Sequence, residues 1–335
     1  MPALSPATPP ARRIRPMIAV MVLVPVLVSL ALWAFAWPAA RMAPNELPIG
    51  VAGPAAATAQ LEQNLAQHEE AFEIRHYDDE AAAREAIEDR DVYGAMVVTT
   101  DGPKVLTASA ASPVVAALLK ESAAMAAPEG TRPVIEDVVP ASPDDPRGSA
   151  LASSILPLAL AGIAAGASVT LLGLRGWRAA TALSGTAALS GLVATAIAHS
   201  WLGALTGAWW TEAGVLTLTV LAVGGGIAGL AAVLGREGIG LGALLIMLIG
   251  NPFSGVGTAP ELLPEPAGLI GQWLPPGAGG SLLRSVTFFD GAGAASPAIV
   301  LTLWALLGLT AVLIGGRRRV QSPARQPVPD AAPTA

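Results

Sequence analysis

The sequence predicts a polytopic α-helical membrane protein of about six spans, with an extracytoplasmic α/β domain inserted between the first and second spans. Three observations predict it. Only 13% of the 335 residues are charged and 53% are hydrophobic, where a soluble protein usually carries about 25% charged residues. Apolar runs long enough to cross a bilayer recur at Met17–Trp37 and throughout 151–316, since a crossing needs about 20 residues. Charge is segregated: 39–150 holds 19 acidic and 8 basic residues, while the rest of the chain is net positive.

In chain order, 1–16 is a Pro- and Ala-rich tail, predicted disordered and cytoplasmic, ending in Arg12, Arg13 and Arg15. The first span, 17–37, is read as an uncleaved anchor. A cleaved signal peptide is the competing reading, but its apolar core is usually about 7–15 residues. Both readings export the domain at 39–150. Residues 39–150 alternate strand and helix patterns. Pro48–Ala52, Phe72–Tyr77, Val92–Val98, Val105–Ala108 and Val134–Val139 read as strands. Thr58 is placed to cap a helix carrying Leu61, Leu65 and Phe72. Asp78 or Asp79 caps a helix to about Arg90 that buries Ala83, Ala86 and Ile87, and Ser112-Pro113 opens another, with Ser as cap and Pro at the first helical position. This alternation predicts a largely parallel sheet. About 110 residues are enough to bury a core of their own.

The bundle, 151–316, reads as spans at 151–174, 179–201, 213–234 and 297–316, plus Ile239–Gly250, which is too short to cross alone and breaks at Asn251-Pro252. A Gly/Pro-rich external stretch, 250–296, precedes the last span, and 317–335 is a second disordered cytoplasmic tail opened by Arg317, Arg318 and Arg319. Six crossings put Arg12/Arg13/Arg15, Arg175/Arg178, Arg236 and Arg317–Arg319 on one side and the acidic domain on the other. That satisfies the positive-inside rule at every loop, with both termini cytoplasmic. The location predicted is the plasma membrane, multi-pass.

Chemical motifs are few. The absence of cysteine excludes disulfides and thiolate metal sites. The acidic domain argues against nucleic acid. No phosphate-binding Gly-x-x-x-x-Gly-Lys-Ser/Thr, Gly-x-Ser-x-Gly or His-Glu-x-x-His occurs, so no catalytic residue, metal ligand or cofactor is predicted and the chain is not read as an enzyme. His68 and His76 lie among Glu69, Glu70, Glu73 and Asp78, without the spacing of a metal motif; a solvated acidic face is the better reading. His199 reads as an interfacial residue beside Trp201, or as a proton relay. Gly162/Gly166 and Gly225/Gly229 have the spacing that lets helices approach closely, so packing is their expected role. The candidate cavity or re-entrant loop is the broken segment with Asn251, Pro252, Arg284 and Asp290, because interrupted apolar segments mark backbone that lines a cavity. An interfacial loop anchored by Trp273, Phe288 and Phe289 is the alternative.

One span, an external domain and then about five spans resemble the type-2 ABC exporter permease superfamily, and within it the phage-infection-protein-like membrane proteins. Leu47-Pro48-Ile49-Gly50-Val51-Ala52 is similar to the start of that family's external domain. Asp91–Val98 resembles a later strand of that domain. Gly250–Gly255, Pro260–Pro264 and Leu274–Ala278 resemble the broken loop before its last span. The resemblance implies a permease subunit for lipid-like or amphipathic cargo, acting as a dimer with a separately encoded ATPase. The ATPase would dock at Arg175, Trp177, Arg178, Arg236 and Glu237. The inner loops there are about four residues each, as the spans are drawn. That favours a second reading: a non-transporting envelope protein whose external domain binds a partner and whose spans anchor it in the bilayer.

Overall fold

The computed structural model describes residues 11–54, 58, 71–99, 102–126 and 133–318. The predicted helix through Leu61 and Leu65, the cluster around His68, most of the N-terminal tail and everything from Arg319 on lie outside the described residues.

Helix α1 (Ala11–Ala40) leads into an α/β domain: β1 (Leu47–Ala52), β2 (Phe72–Tyr77), α2 (Glu80–Glu88), β3 (Gly94–Thr99), β4 (Gly102–Thr107), α3 (Pro113–Ala126) and β5 (Val134–Asp137). The five strands lie in the order β2-β1-β3-β4-β5, and only the β3–β4 hairpin is antiparallel. Phe72 pairs with Leu47 as the first residue of β2, so it belongs to the strand and not to the helix predicted before it. The Asp79 carboxylate accepts from the Ala82 N–H at 2.9 Å and the Ser112 hydroxyl from the Val115 N–H at 3.2 Å. Each side chain thus satisfies an N–H that the first helical turn would otherwise leave unpaired.

Helix α2 packs Ala83, Ala86 and Ile87 on one face of the sheet, and α3 packs Val115 and Leu119 on the other. Contrary to the expectation from its length, the domain does not close its core alone. Phe289 completes the first cluster, and Ala259 and Leu262 complete the second. The apolar pieces of the broken stretch are therefore partly core residues of the sheet.

Beyond the domain come α4 (Ser149–Leu171), α5 (Gly176–Thr195, continued as a π-helical turn to Trp201), α6 (Trp209–Leu234), α7 (Glu237–Leu244, continued as a π-helical turn to Gly250), α8 (Ala267–Gln272), α9 (Pro275–Phe288) and α10 (Ala295–Arg318). Among the described residues, five helices are long and apolar enough to cross a membrane: α1, α4, α5 with its π turn, α6 and α10. The chain is a polytopic, mostly helical membrane protein. The fifth predicted crossing in chain order, Ile239–Gly250, lies in a shorter apolar helix, Glu237–Gly250.

Helix α6 is the central post and the most buried of the five. Its small residues set this up. Gly162 and Gly166 of α4 lie against Val223 and Ile227, and Gly225 and Gly229 of α6 lie against Ala305 and Gly308 of α10. The residue order of these contacts makes α4, α6 and α10 parallel, all starting beside the domain. Their other ends meet in a small pocket lined by Leu174, Arg175, Ala232 and Gly315.

Between α7 and α10 the chain does not lie flat as a loop. Gly250 abuts Pro276, Gly279 abuts Thr219, and Thr287 reaches Glu212 in the first turn of α6. Helix α9 therefore starts halfway along α6 and climbs to its beginning. Pro275-Pro276 fits this start, because the first helical positions need no N–H. Helix α8 runs the opposite way, from the domain down to Trp273, whose carbonyl accepts from the Trp304 indole at 2.9 Å. The pair forms a helical hairpin beneath the sheet. Gln272 ties it internally, donating to Ser254 O at 2.8 Å and accepting from Ser281 at 2.7 Å.

Candidate functional site

The site is built where the sheet meets the hairpin. Helix α2 ends at Asp89, and the chain turns sharply through Arg90 at φ +63. That turn sends the Arg90 side chain out of the domain. Its guanidinium donates to Ser281 O at 3.1 Å and to the Ser285 hydroxyl, and its cation sits 5.2 Å above the Phe289 ring. Burial lowers the Arg90 pKa from its ordinary value, because a desolvated cation is disfavoured. Three residues on, the Tyr93 hydroxyl donates to Glu261 at 2.7 Å. Burial, with Glu261 beside it, raises the Tyr93 pKa and keeps the phenol protonated.

Backbone pairing adds to the joint: Ala43 and Asn45 N–H donate to Leu262 O and Glu261 O at 3.1 and 2.9 Å. Beside these contacts opens a cleft of about 600 Å3 between domain and hairpin, with Glu46, Glu73, Arg75, Asp91, Glu265 and Gln272 in its walls. Arg75 is paired there with Glu73 at 3.0 Å and Asp91 at 3.8 Å.

Two charges are buried deeper. Arg284 of α9 is 5% exposed and donates through Nη2 to Val256 O at 2.8 Å; its Nε finds no partner among the described residues. Glu212 is fully buried in the first turn of α6. It faces His199 Nδ1 at 2.7 Å and accepts from Gly207 N–H at 2.8 Å and from Thr287 at 3.3 Å. It joins three elements at the domain end of the bundle.

The predicted candidates disperse. Asn251 ends the π turn of α7, where its carbonyl accepts from Ser254, and Pro252 follows it half-buried. Arg284 is two turns along α9, and Asp290 lies exposed beyond the other end of that helix at φ +50. Asn251 and Asp290 thus flank opposite ends of α9 and form no common pocket. Arg175, Trp177, Arg178, Arg236 and Glu237 collect at the end of the bundle far from the domain. Trp177 is exposed there, with the Arg178 cation 5.9 Å from its ring. The connections at that end are very short: residues 172–175 after α4, and 235–236 after α6. Among the described residues, no group of three or more His, Asp or Glu is placed to hold a metal ion.

Sequence reasoning misses Arg90, Tyr93, Glu261 and Glu212. Hydropathy places Glu212 in a loop, but α6 begins at Trp209 and takes it inside. A carboxylate 13 residues from a histidine, both flanked by apolar runs, is the available signal.

Residues 15–141 match the family model described as ABC-2 family transporter protein. The match supports a type-2 ABC permease. It covers most of α1 and the α/β domain and stops before α4, so the ABC-2 likeness lies in the part of the chain that carries the sheet. No curated protein and no solved structure matches the chain. The ABC-2 match and the apolar helices together support a multi-pass membrane permease of an ABC transporter.

Proposed function

We propose that this chain is the membrane subunit of an ABC-type exporter that moves lipid-like or amphipathic cargo, driven by a separately encoded ATPase. The observation that carries the reading is the ABC-2 match over α1 and the sheet, set above a hairpin dipping back along the bundle. The phage-infection-protein-like branch fits the segments Leu47–Ala52 and Gly250–Gly255 best. In this reading the α/β domain is extracytoplasmic. Glu237–Gly250 completes a short sixth crossing together with α9. Both termini are cytoplasmic, on the side of Arg175, Arg178 and Arg236, and the subunit acts as a homodimer. The hairpin is re-entrant, which suits backbone buried in protein but not in lipid. The chain itself is not an enzyme.

One observation favours a second reading. The connections at the far end of the bundle, residues 172–175 and 235–236, give an ATPase little to grip. In that reading the chain is an anchored envelope protein, and its domain binds a partner.

The test is gentle purification of the tagged full chain from its native membrane, with partners identified and ATP hydrolysis assayed. A stoichiometric ATPase, lost on Trp177→Ala with Arg178→Ala, is the expected result. A reproducible envelope partner without any ATPase would transfer the assignment to the anchored reading.

A further inference from the structure

Two openings on this molecule share one short helix. Between α6 and α10 runs an apolar groove of about 470 Å3, floored by Gly226, Gly229 and Gly308 and walled by Leu303 and Leu307, with Trp273 in its wall at the end of α8. Its α10 side reaches from Val300 to Ala311, about 17 Å at 1.5 Å rise per residue. At the end of α8, Leu269 and Gln272 line the polar cleft beneath the sheet. Leu269, Gln272 and Trp273 lie three and four residues apart, on one face of a helical turn. An apolar channel and a polar cleft are thus stacked end to end along that face.

The cleft has a sign. Glu46, Glu73, Asp91, Glu261 and Glu265 face two cations, Arg75 and Arg90. Both guanidiniums are already engaged, Arg75 by Glu73 and Asp91, and Arg90 by Ser281, Ser285 and the Phe289 ring. Glu46 and Glu265 are exposed and make no ion pair among the described residues. A cation entering the cleft would meet unneutralised carboxylates; an anion would meet no free guanidinium.

We propose that groove and cleft together form one binding site for a single-chain amphiphile with a cationic headgroup: the hydrocarbon tail lies between α6 and α10, and the head sits over Glu46 and Glu265. As a statement about cargo, this rests on the exporter reading; as a binding site it stands without it. Trp273, at the join, is exposed, and an aromatic side chain there can attract a quaternary ammonium.

The test uses the full chain purified in nanodiscs of neutral lipid. The probes are two nitroxide-labelled C16 amphiphiles, one with a trimethylammonium head and one with a sulfate head. The readout is quenching of tryptophan emission. The ammonium probe is expected to bind several-fold tighter than the sulfate probe, by about fivefold at low salt, since two exposed carboxylates each contribute modestly. The preference should vanish in the Glu46→Gln, Glu265→Gln double variant and shrink at high salt. Leu307→Trp, which fills an exposed wall of the groove, should weaken both probes. Equal binding of the two heads, unchanged in the double variant, would overturn the proposal and leave ordinary lipid contact. A dimer that Leu307→Trp converts to monomer, with probe binding unaltered, would also overturn it and make the groove an interface between copies. Head-selective binding in a protein that never copurifies with an ATPase would refute export and keep the site. A stoichiometric ATPase without head selectivity would do the reverse.

Discussion

His199 Nδ1 lies 2.7 Å from the carboxylate of Glu212, which is completely buried. The same carboxylate takes the Gly207 N–H and the Thr287 hydroxyl, so one acidic side chain joins α5, α6 and α9 at the end of the bundle nearest the sheet. Removing it strands two donors in a dry site. Glu212→Ala should therefore destabilise the bundle by roughly 2 kcal/mol, within the range for an unsatisfied buried hydrogen-bonding group. Thermal unfolding of the detergent-solubilised chain reads this directly. His199→Ala should cost about as much, and the double variant less than the sum. Strict additivity would show that the two side chains do not interact.

Arg90 joins the domain to the hairpin through three contacts. Arg90→Ala removes the bonds to Ser281 and Ser285 and the ring contact with Phe289 together. Its cost should be about 2 kcal/mol, in the range for hydrogen bonds from a charged group. Arg90→Lys should recover only part of it, because an ammonium cannot spread over two acceptors and a ring as a planar guanidinium does. Faster amide exchange in β3 and α9 of the alanine variant is the second signature. Unchanged exchange would mean the joint is held elsewhere.

Gly308 packs against the backbone of Gly225 and Gly229 so closely that a Cβ on it would collide with the Gly225 carbonyl. Gly308→Leu should force α6 and α10 apart and lower stability by about 1–3 kcal/mol, as overpacking does. Gly214, at the start of the same post, has open space where a Cβ would go. Gly214→Ala should be neutral or mildly stabilising, because helix interiors favour Ala over Gly. Parallel melting curves of the two variants check both.

On the domain surface, Lys104 lies 2.7 Å from both Glu136 and Glu80, and Arg84 lies 2.7 Å from Glu136. Hydrogen bonds from Lys104 and then from Arg84 hold the Glu136 carboxyl below its ordinary range. A depressed folded-state pKa means that its stabilisation is present above the unfolded value, near pH 4.3. It is lost as pH falls through the lower, folded value. Glu136→Gln should flatten that acid limb of the domain's unfolding profile and leave stability at neutral pH only slightly changed, since the network is solvent-exposed. An acid limb identical to the parent's would remove Glu136 from the account.

Much of this protein is local and legible in its sequence. Span positions follow from runs of apolar residues. Phe72–Tyr77 matches the observed strand end to end, and Asp79 and Ser112 cap the helices their positions announce. Such features depend on neighbours a few residues apart, and hydropathy and capping chemistry are written at that range. The tertiary structure decided what depends on distant pairs. Phe289 and Ala259 close the cores of a sheet far away in sequence, Arg90 reaches 191 residues along the chain to Ser281, and Glu212 turns from a loop residue into a buried joint. Gly and Pro across 250–296 announce that helices break there. Only packing against α6 fixed which way the broken pieces fold, because each of them is too short to choose a direction on its own.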